Sequence, residues 1–258
     1  MGIIKGNKKT RGLLDFNKKS QPVRDQDRVI SKDTPFFVRE SYKALRTNLN
    51  FSLPADKKKI ILVTSAGASE GKTTNCLNIA ITFAETGARV CVVDCDLRKP
   101  NIARLNMEKG TPGLSNVLVK LNKLEDVIRK SKYDNLEFVY SGDIPPNPAE
   151  LLESKEMENV LEKLSEMYDY VFVDTPPVNV VTDASLIARL AGGVLLVVNQ
   201  HRTTRSELGK AIAQLEFVQA KILGILFNGV KSEKKGKGYK YGSGYYAYKS
   251  YTANGEDL

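Results

Sequence analysis

The sequence predicts an α/β fold: a doubly wound, mainly parallel sheet with helices on both faces. Three observations carry this reading. Short apolar runs alternate with segments of helical period across short links. The run Ile60–Val63 gives way to small residues and then to Gly71-Lys72-Thr73, where a helical pattern begins. Two further apolar runs, 89–94 and 170–174, each end in aspartate.

Composition narrows the possibilities. The 258 residues are 41% hydrophobic, enough for one sizeable core, and neither a repeat nor a second domain is visible. No run of about 20 apolar residues occurs, so no membrane span is expected. The start, Met1-Gly-Ile-Ile-Lys-Gly-Asn, lacks the apolar segment of a secretory signal, and a cytoplasmic location is expected. Cys76, Cys91 and Cys95 sit in apolar elements without metal-ligand spacing and read as reduced packing residues. The single histidine, His201, leaves little for serine-protease or histidine–metal chemistry and is expected at the surface.

The net charge of +9 is unevenly placed. Residues 1–59 carry 15 Lys/Arg against 6 Asp/Glu, residues 60–230 carry 18 against 21, and residues 231–258 carry 6 against 3. A nearly neutral body thus has basic ends, which suit an anionic lipid, nucleic acid or acidic partner, or serve only as solvated arms.

In chain order, residues 1–34 are polar and read as a mobile basic arm. Pro35 opens a helix through Phe36, Phe37, Ala44, Leu45 and Leu49, on which Glu40, Lys43 and Arg46 fall roughly along one face. The first core strand, Ile60–Val63, leads into Ala66-Gly67-Ala68-Ser69-Glu70-Gly71-Lys72-Thr73-Thr74. Strand, small-residue loop and helix start make a phosphate-binding loop, so the fold is P-loop NTPase-like. Its backbone N–H groups curl round phosphates, Lys72 reaches the β- and γ-phosphates, and Thr73 ligates Mg²⁺. Ala66 stands where the strict motif has its first glycine.

The helix that follows, roughly 71–86, is expected to end at Gly87. Strand 89–94 delivers Asp94 and Asp96, spaced i and i+2, to the strand ends where ligands lie in open parallel sheets. Short helices are expected from Gly113 and over 122–130, and a strand over Leu136–Tyr140. Pro148 is placed to open a helix, and 155–167 shows helical period. Strand 170–174 ends in Asp174 and matches the Walker B pattern that organises a Mg²⁺ shell. A helix starting at Asp183, strand Gly193–Asn199, helix 204–218 and strand Ile222–Asn228 complete the body, 35–230.

Residues 231–258 form a Gly/Ser/Lys/Tyr-rich tail that is expected to be flexible. Six of the eleven tyrosines lie there: Tyr239, Tyr241, Tyr245, Tyr246, Tyr248 and Tyr251. Aromatics without aliphatics build no core. Stacking on single-stranded nucleic acid and hydroxyls offered for phosphorylation are the competing readings.

The phosphate loop, Val-Val-Asp94-Cys-Asp96-Leu-Arg-Lys-Pro, Val-Phe-Val-Asp174-Thr-Pro-Pro and the tyrosine cluster together resemble the bacterial protein-tyrosine kinases. More narrowly, the chain resembles the separate kinase subunit of capsular and exopolysaccharide regulators in Gram-positive bacteria. That resemblance, from about residue 36 to the tail, implies a kinase domain over 35–230 that uses ATP and Mg²⁺ and autophosphorylates the six tail tyrosines. It implies a membrane activator of the polysaccharide chain-length-determinant type, a ring of subunits that dissociates on phosphorylation, and a cognate tyrosine phosphatase. Such a kinase would lie at the inner face of the membrane through its partner, and no nucleic-acid partner is expected. Lys72 and Thr73 match Walker A, Asp94 and Asp96 the acidic motif called Walker A′, and Asp174 Walker B. Thr73, Asp94, Asp96 and Asp174 would then form the metal shell. Asn228 sits where related ATPases set an Asn against adenine. Glu40, Lys43 and Arg46 match the ring-contact motif Glu-x-x-Arg-x-x-Arg, with Lys43 replacing the middle Arg and its bidentate fork.

A tyrosine hydroxyl has a pKa near 10, so a carboxylate must orient it and take its proton. Asp94 is the first choice and Asp96 the metal holder, although the reverse assignment fits the spacing equally. The rival reading is a partitioning or division-site ATPase that dimerises with ATP on DNA or membrane. Those proteins place a second Lys early in the loop, where this chain has Gly67.

Overall fold

The computed structural model describes residues 28–54 and 59–230. The helices are α1 (Phe36–Ser52), α2 (Lys72–Ala84), α3 (Ile102–Asn106), α4 (Leu114–Leu118), α5 (Leu124–Val127), α6 (Pro148–Glu153), α7 (Lys155–Met167), α8 (Asp183–Ala188) and α9 (Arg205–Phe217). The strands are β1 (Ile60–Ser65), β2 (Val90–Asp94), β3 (Ile128–Lys130), β4 (Leu136–Val139), β5 (Tyr170–Asp174), β6 (Gly193–Asn199) and β7 (Ile222–Asn228). They form one sheet in the order β3-β4-β2-β5-β1-β6-β7. Every neighbouring pair is parallel except β3–β4.

The period-2 alternation of a strand divides the core into two layers. Ile60 and Leu62 of β1 face one layer with residues of α4 to α9, while Ile61 and Val63 face the other with α1, α2 and α3. β1 is buried throughout, because parallel strands covered on both faces have no solvent side. α7 buries Met157, Val160, Leu161 and Leu164 at helical spacing, and Ser154 caps its start by accepting from the Met157 N–H. At α9, Thr204 and Glu207 complete a capping box. Pro148 stands in the first turn of α6 as expected.

Three expectations need correction. The stretch 122–130 is only a single helical turn, α5, followed by β3, which runs antiparallel to β4 with Ile128 opposite Val139. The open backbone edge of β4 draws Ile128–Lys130 into a ladder, and a short apolar window cannot distinguish that outcome from a helix. Ile30, expected within the basic arm, belongs to the folded body instead, because it is only 2% exposed and packs in the layer with α2. Its N–H donates to Asn78 Oδ1 at 2.8 Å, and its carbonyl accepts from the Tyr133 hydroxyl at 2.9 Å. Helix α3 was not expected at all, and Asp94 is responsible for it, as described below. The tail and its six tyrosines lie outside the described residues.

Among the described residues no helix is long and apolar enough to cross a membrane. The three cysteines are buried and unpaired, and His201 is exposed.

Candidate active site

The phosphate loop is set by what flanks it. β1 ends at Ser65 and α2 begins at Lys72, so Ala66–Gly71 turns between a fully buried strand and a helix N-terminus. Ala66 is buried in the same core layer as Ile60 and Leu62, so a methyl group at the motif's first position has a place. Gly71 has φ +92°, and a Cβ there would stand 2.2 Å from Asn228 Nδ2. Both backbone strain and the approach of β7 therefore demand glycine. Asn228 Nδ2 donates to the Glu70 carbonyl at 2.8 Å, so this residue props the loop. Glu70 Oε2 accepts the Gly67 N–H at 3.0 Å, its Oε1 accepts from the Thr203 hydroxyl, and the Ser65 hydroxyl donates to the Gly67 carbonyl at 2.7 Å.

Three acids converge on Lys72. Register places Asp94 directly opposite Asp174 on adjacent parallel strands, and both are fully buried. Lys72 Nζ lies 3.1 Å from Asp96 Oδ2 and 3.8 Å from Asp174 Oδ2. It also lies 3.3 Å from the Thr73 hydroxyl. Burial alone would lower the lysine pKa, but Asp174 and Asp96 outweigh it and the ammonium is held above its usual range. The Asp94 carboxyl is pushed up to about 7, first by burial and then by repulsion from Asp174. Asp174 is raised chiefly by burial, with Lys72 opposing.

The two members of the i, i+2 pair differ in environment. Asp94 Oδ2 accepts the N–H groups of Asn101 (3.2 Å) and Ile102 (3.1 Å), which fixes the start of α3. Its Oδ1 accepts the Asp96 N–H at 3.2 Å. Asp96 is slightly exposed, accepts the Lys99 N–H at 3.0 Å through Oδ1, and turns Oδ2 to Lys72. Asp174 contrasts with both, because neither carboxylate oxygen has a hydrogen-bond partner although both are buried.

That orphaned carboxylate, beside the Thr73 hydroxyl and Asp96, is an all-oxygen set of the kind Mg²⁺ takes. Among the described residues no group of three or more His, Cys, Asp or Glu is arranged to hold a metal unaided.

Sequence reasoning missed two features. Arg98 makes a bidentate pair with the fully buried Asp183 (2.8 and 3.0 Å), tying the loop after β2 to the start of α8. Asn75 and Asn78, buried polar residues beside the apolar side chains of α2, meet Tyr42 of α1. Their i, i+3 spacing among apolar neighbours was the available signal. The charges of α1 do not stay together: Lys43 pairs with Glu40 at 2.8 Å, whereas Arg46 donates to the Thr82 carbonyl near the end of α2.

The fold and this site define a P-loop nucleotide-binding protein, and a family model described as "AAA domain" matches residues 58–225. Tyrosine-protein kinase YwqD of Bacillus subtilis (strain 168) is 36% identical over 227 residues, 88% of this chain and 96% of that protein. The solved kinase domain of Escherichia coli tyrosine kinase ETK superposes with TM-score 0.73 at 33% identity, covering 78% of this chain and 80% of that one. The Pyrococcus furiosus cell division ATPase MinD stands further off, at TM-score 0.59 and 23% identity over 69% of this chain and 75% of that one, a likeness of fold alone. This chain belongs to the bacterial tyrosine-protein kinases. It is an ATP-using enzyme that phosphorylates protein tyrosine, and the division-site reading is set aside.

Proposed function

We propose that this kinase autophosphorylates the tail tyrosines Tyr239, Tyr241, Tyr245, Tyr246, Tyr248 and Tyr251 in trans, within a homo-oligomer, as part of capsular or exopolysaccharide control. The observation that carries the catalytic reading is the convergence of Lys72 with Asp94, Asp96 and Asp174 beside the phosphate loop. Phosphoryl transfer needs mainly alignment and charge neutralisation. Lys72 turns from Asp96 to the β- and γ-phosphate oxygens, and the N–H groups of 68–74 hold the remaining phosphate oxygens. Thr73, Asp96 and Asp174 would hold Mg²⁺, which neutralises phosphate charge when bound.

Asp94 is the proton acceptor in this reading. A carboxyl raised to about 7 is matched to neutral pH, and three backbone N–H groups fix its plane. Oδ1 accepts a single hydrogen bond and keeps a lone pair for a phenol. As the tyrosine oxygen bonds to the γ-phosphorus, the bond from that phosphorus to the bridging oxygen breaks. ADP leaves, and the phenolic proton passes to Asp94. Asp94 Oδ2 holds the start of α3, so its carboxylate serves the proton and the metal falls to Thr73, Asp96 and Asp174. Asn228 supports the loop from the side where an adenine would be expected.

A membrane activator of the chain-length-determinant type, peripheral placement at the inner face of the membrane and a cognate tyrosine phosphatase complete the proposal. Glu40 and Lys43 are the α1 charges offered to a neighbouring subunit, with Arg46 anchoring α1 to α2 through the Thr82 carbonyl. Incubation with labelled ATP and Mg²⁺, with and without the activator's cytoplasmic segment, tests the proposal. Phosphotyrosine confined to 239–251 and increased by the activator is expected. Absence of label from the tail under both conditions would overturn it.

A further inference from the structure

We propose that Tyr42 is a positioning residue that couples the segment 28–30 to the phosphate loop, so that nucleotide binding and docking of that segment reinforce each other. The inference rests on the nucleotide site described above, but the route involves none of its acids. The Tyr42 hydroxyl donates to Asn75 Oδ1 at 2.8 Å and accepts from Asn78 Nδ2 at 3.0 Å. Asn75 Nδ2 donates to the Gly71 carbonyl at 2.9 Å, and the Asn75 backbone N–H reaches the same oxygen at 3.0 Å. In the other direction, Asn78 Oδ1 accepts the Ile30 N–H at 2.8 Å, and its Nδ2 also reaches the Arg28 carbonyl at 3.0 Å. A continuous chain of hydrogen bonds thus runs from residues 28–30 to the last residue of the loop.

Its effect follows from peptide geometry. The Gly71 carbonyl and the Lys72 N–H belong to one planar trans peptide and point in opposite directions. Holding that carbonyl therefore aims the Lys72 N–H, one of the loop's phosphate donors. By pairing Asn75 Oδ1, the Tyr42 hydroxyl fixes the orientation of the amide whose Nδ2 holds that carbonyl. Both asparagines are nearly fully buried, so water is a poor substitute. Burial also raises the Tyr42 pKa and keeps the donor protonated. If loop order and segment docking share these bonds, each must favour the other by the same factor.

The test uses the full chain and three measurements: ADP affinity, the thermal midpoint, and hydrogen exchange at the Ile30 amide with and without ADP. In the wild type, ADP is expected to slow exchange at Ile30. Tyr42→Phe keeps the ring and removes the hydroxyl, and it is expected to weaken ADP binding by about fivefold and to abolish the ADP-dependent slowing. Asn75→Ser can still bond back to the Gly71 carbonyl but cannot reach Tyr42. It should bind ADP and yet show no slowing at Ile30, which carries the test if Tyr42→Phe does not fold. ADP-dependent slowing at Ile30 that persists in either variant overturns the coupling. So does wild-type affinity in Tyr42→Phe. A wild-type chain that fails to bind ADP overturns instead the nucleotide-site reading, and the coupling with it.

Discussion

The Lys72 ammonium lies 3.1 Å from the Asp96 carboxylate, so the loop's cation stands among the acids that end β2 and β5. This makes Lys72 a structural counter-ion as well as a phosphate ligand. Lys72→Met should abolish autophosphorylation. It should also cost stability, on the order of 3–5 kcal/mol when one partner of a buried charged set is removed. Denaturant unfolding with an ADP titration checks both. Full kinase activity in this variant would refute the site assignment.

The Walker A′ acids should separate by kinetic signature. Asp94→Asn is expected to lower kcat by roughly 10²–10⁴-fold with a modest change in KM for ATP, the range for loss of a general base. Asp96→Asn removes a direct partner of Lys72 and a metal-side oxygen, so its loss should fall more on KM and on Mg²⁺ dependence. Steady-state kinetics across a Mg²⁺ series distinguishes the two. A nearly active Asp94→Asn with a dead Asp96→Asn would reverse the assignment.

Gly71→Ala should sharply weaken nucleotide binding. Left-handed backbone costs about 1–2 kcal/mol for a residue with a Cβ, and the added methyl would meet Asn228 Nδ2 at 2.2 Å. Adding Asn228→Ala relieves the clash but not the strain, so only part of the affinity should return. Calorimetric titration with ADP measures this. Complete restoration would mean that strain at Gly71 is unimportant.

Arg98→Met should destabilise the fold more than Arg98→Met combined with Asp183→Leu. The single change strands a fully buried carboxylate, at a cost below the roughly 3–5 kcal/mol of a fully buried pair because Arg98 is 39% exposed, whereas the double change replaces the pair by apolar contact. The comparison is made by chemical denaturation, and equal loss in both chains would contradict it.

Transfer between subunits predicts that a Lys72→Met chain becomes labelled when mixed with an active chain lacking residues 231–258. Each phosphate adds about −1.5 to −2 charge at neutral pH, so several together reverse the sign of a tail with 6 Lys/Arg against 3 Asp/Glu and favour dissociation. Sedimentation before and after phosphorylation tests that part. An unlabelled Lys72→Met chain and an unchanged sedimentation coefficient would sink the trans model.

The sequence by itself determined the features carried by a single continuous stretch around the phosphate loop. The apolar run of β1, the small residues after it and the helical period from Lys72 occupy one continuous stretch, so strand, loop and helix were legible together. Asp94 and Asp174 were visible as acids ending apolar runs, which marks a sheet's ligand edge whatever the strand order. Only the tertiary structure decided what those acids touch. Parallel register sets Asp94 against Asp174, and the buried Asp94 then draws in two N–H groups to begin α3, a helix with no local signal. β3 likewise became a strand because β4 offered an open edge. Arg46 left its row of charges for the Thr82 carbonyl, and Ile30 drew a polar segment into the core. Arg46 and Ile30 meet partners 36 and 48 residues away, while α3 and β3 are decided by Asp94 and β4 only a few residues off. In all four the contact is made through space, and periodicity carries no information about which surfaces will meet.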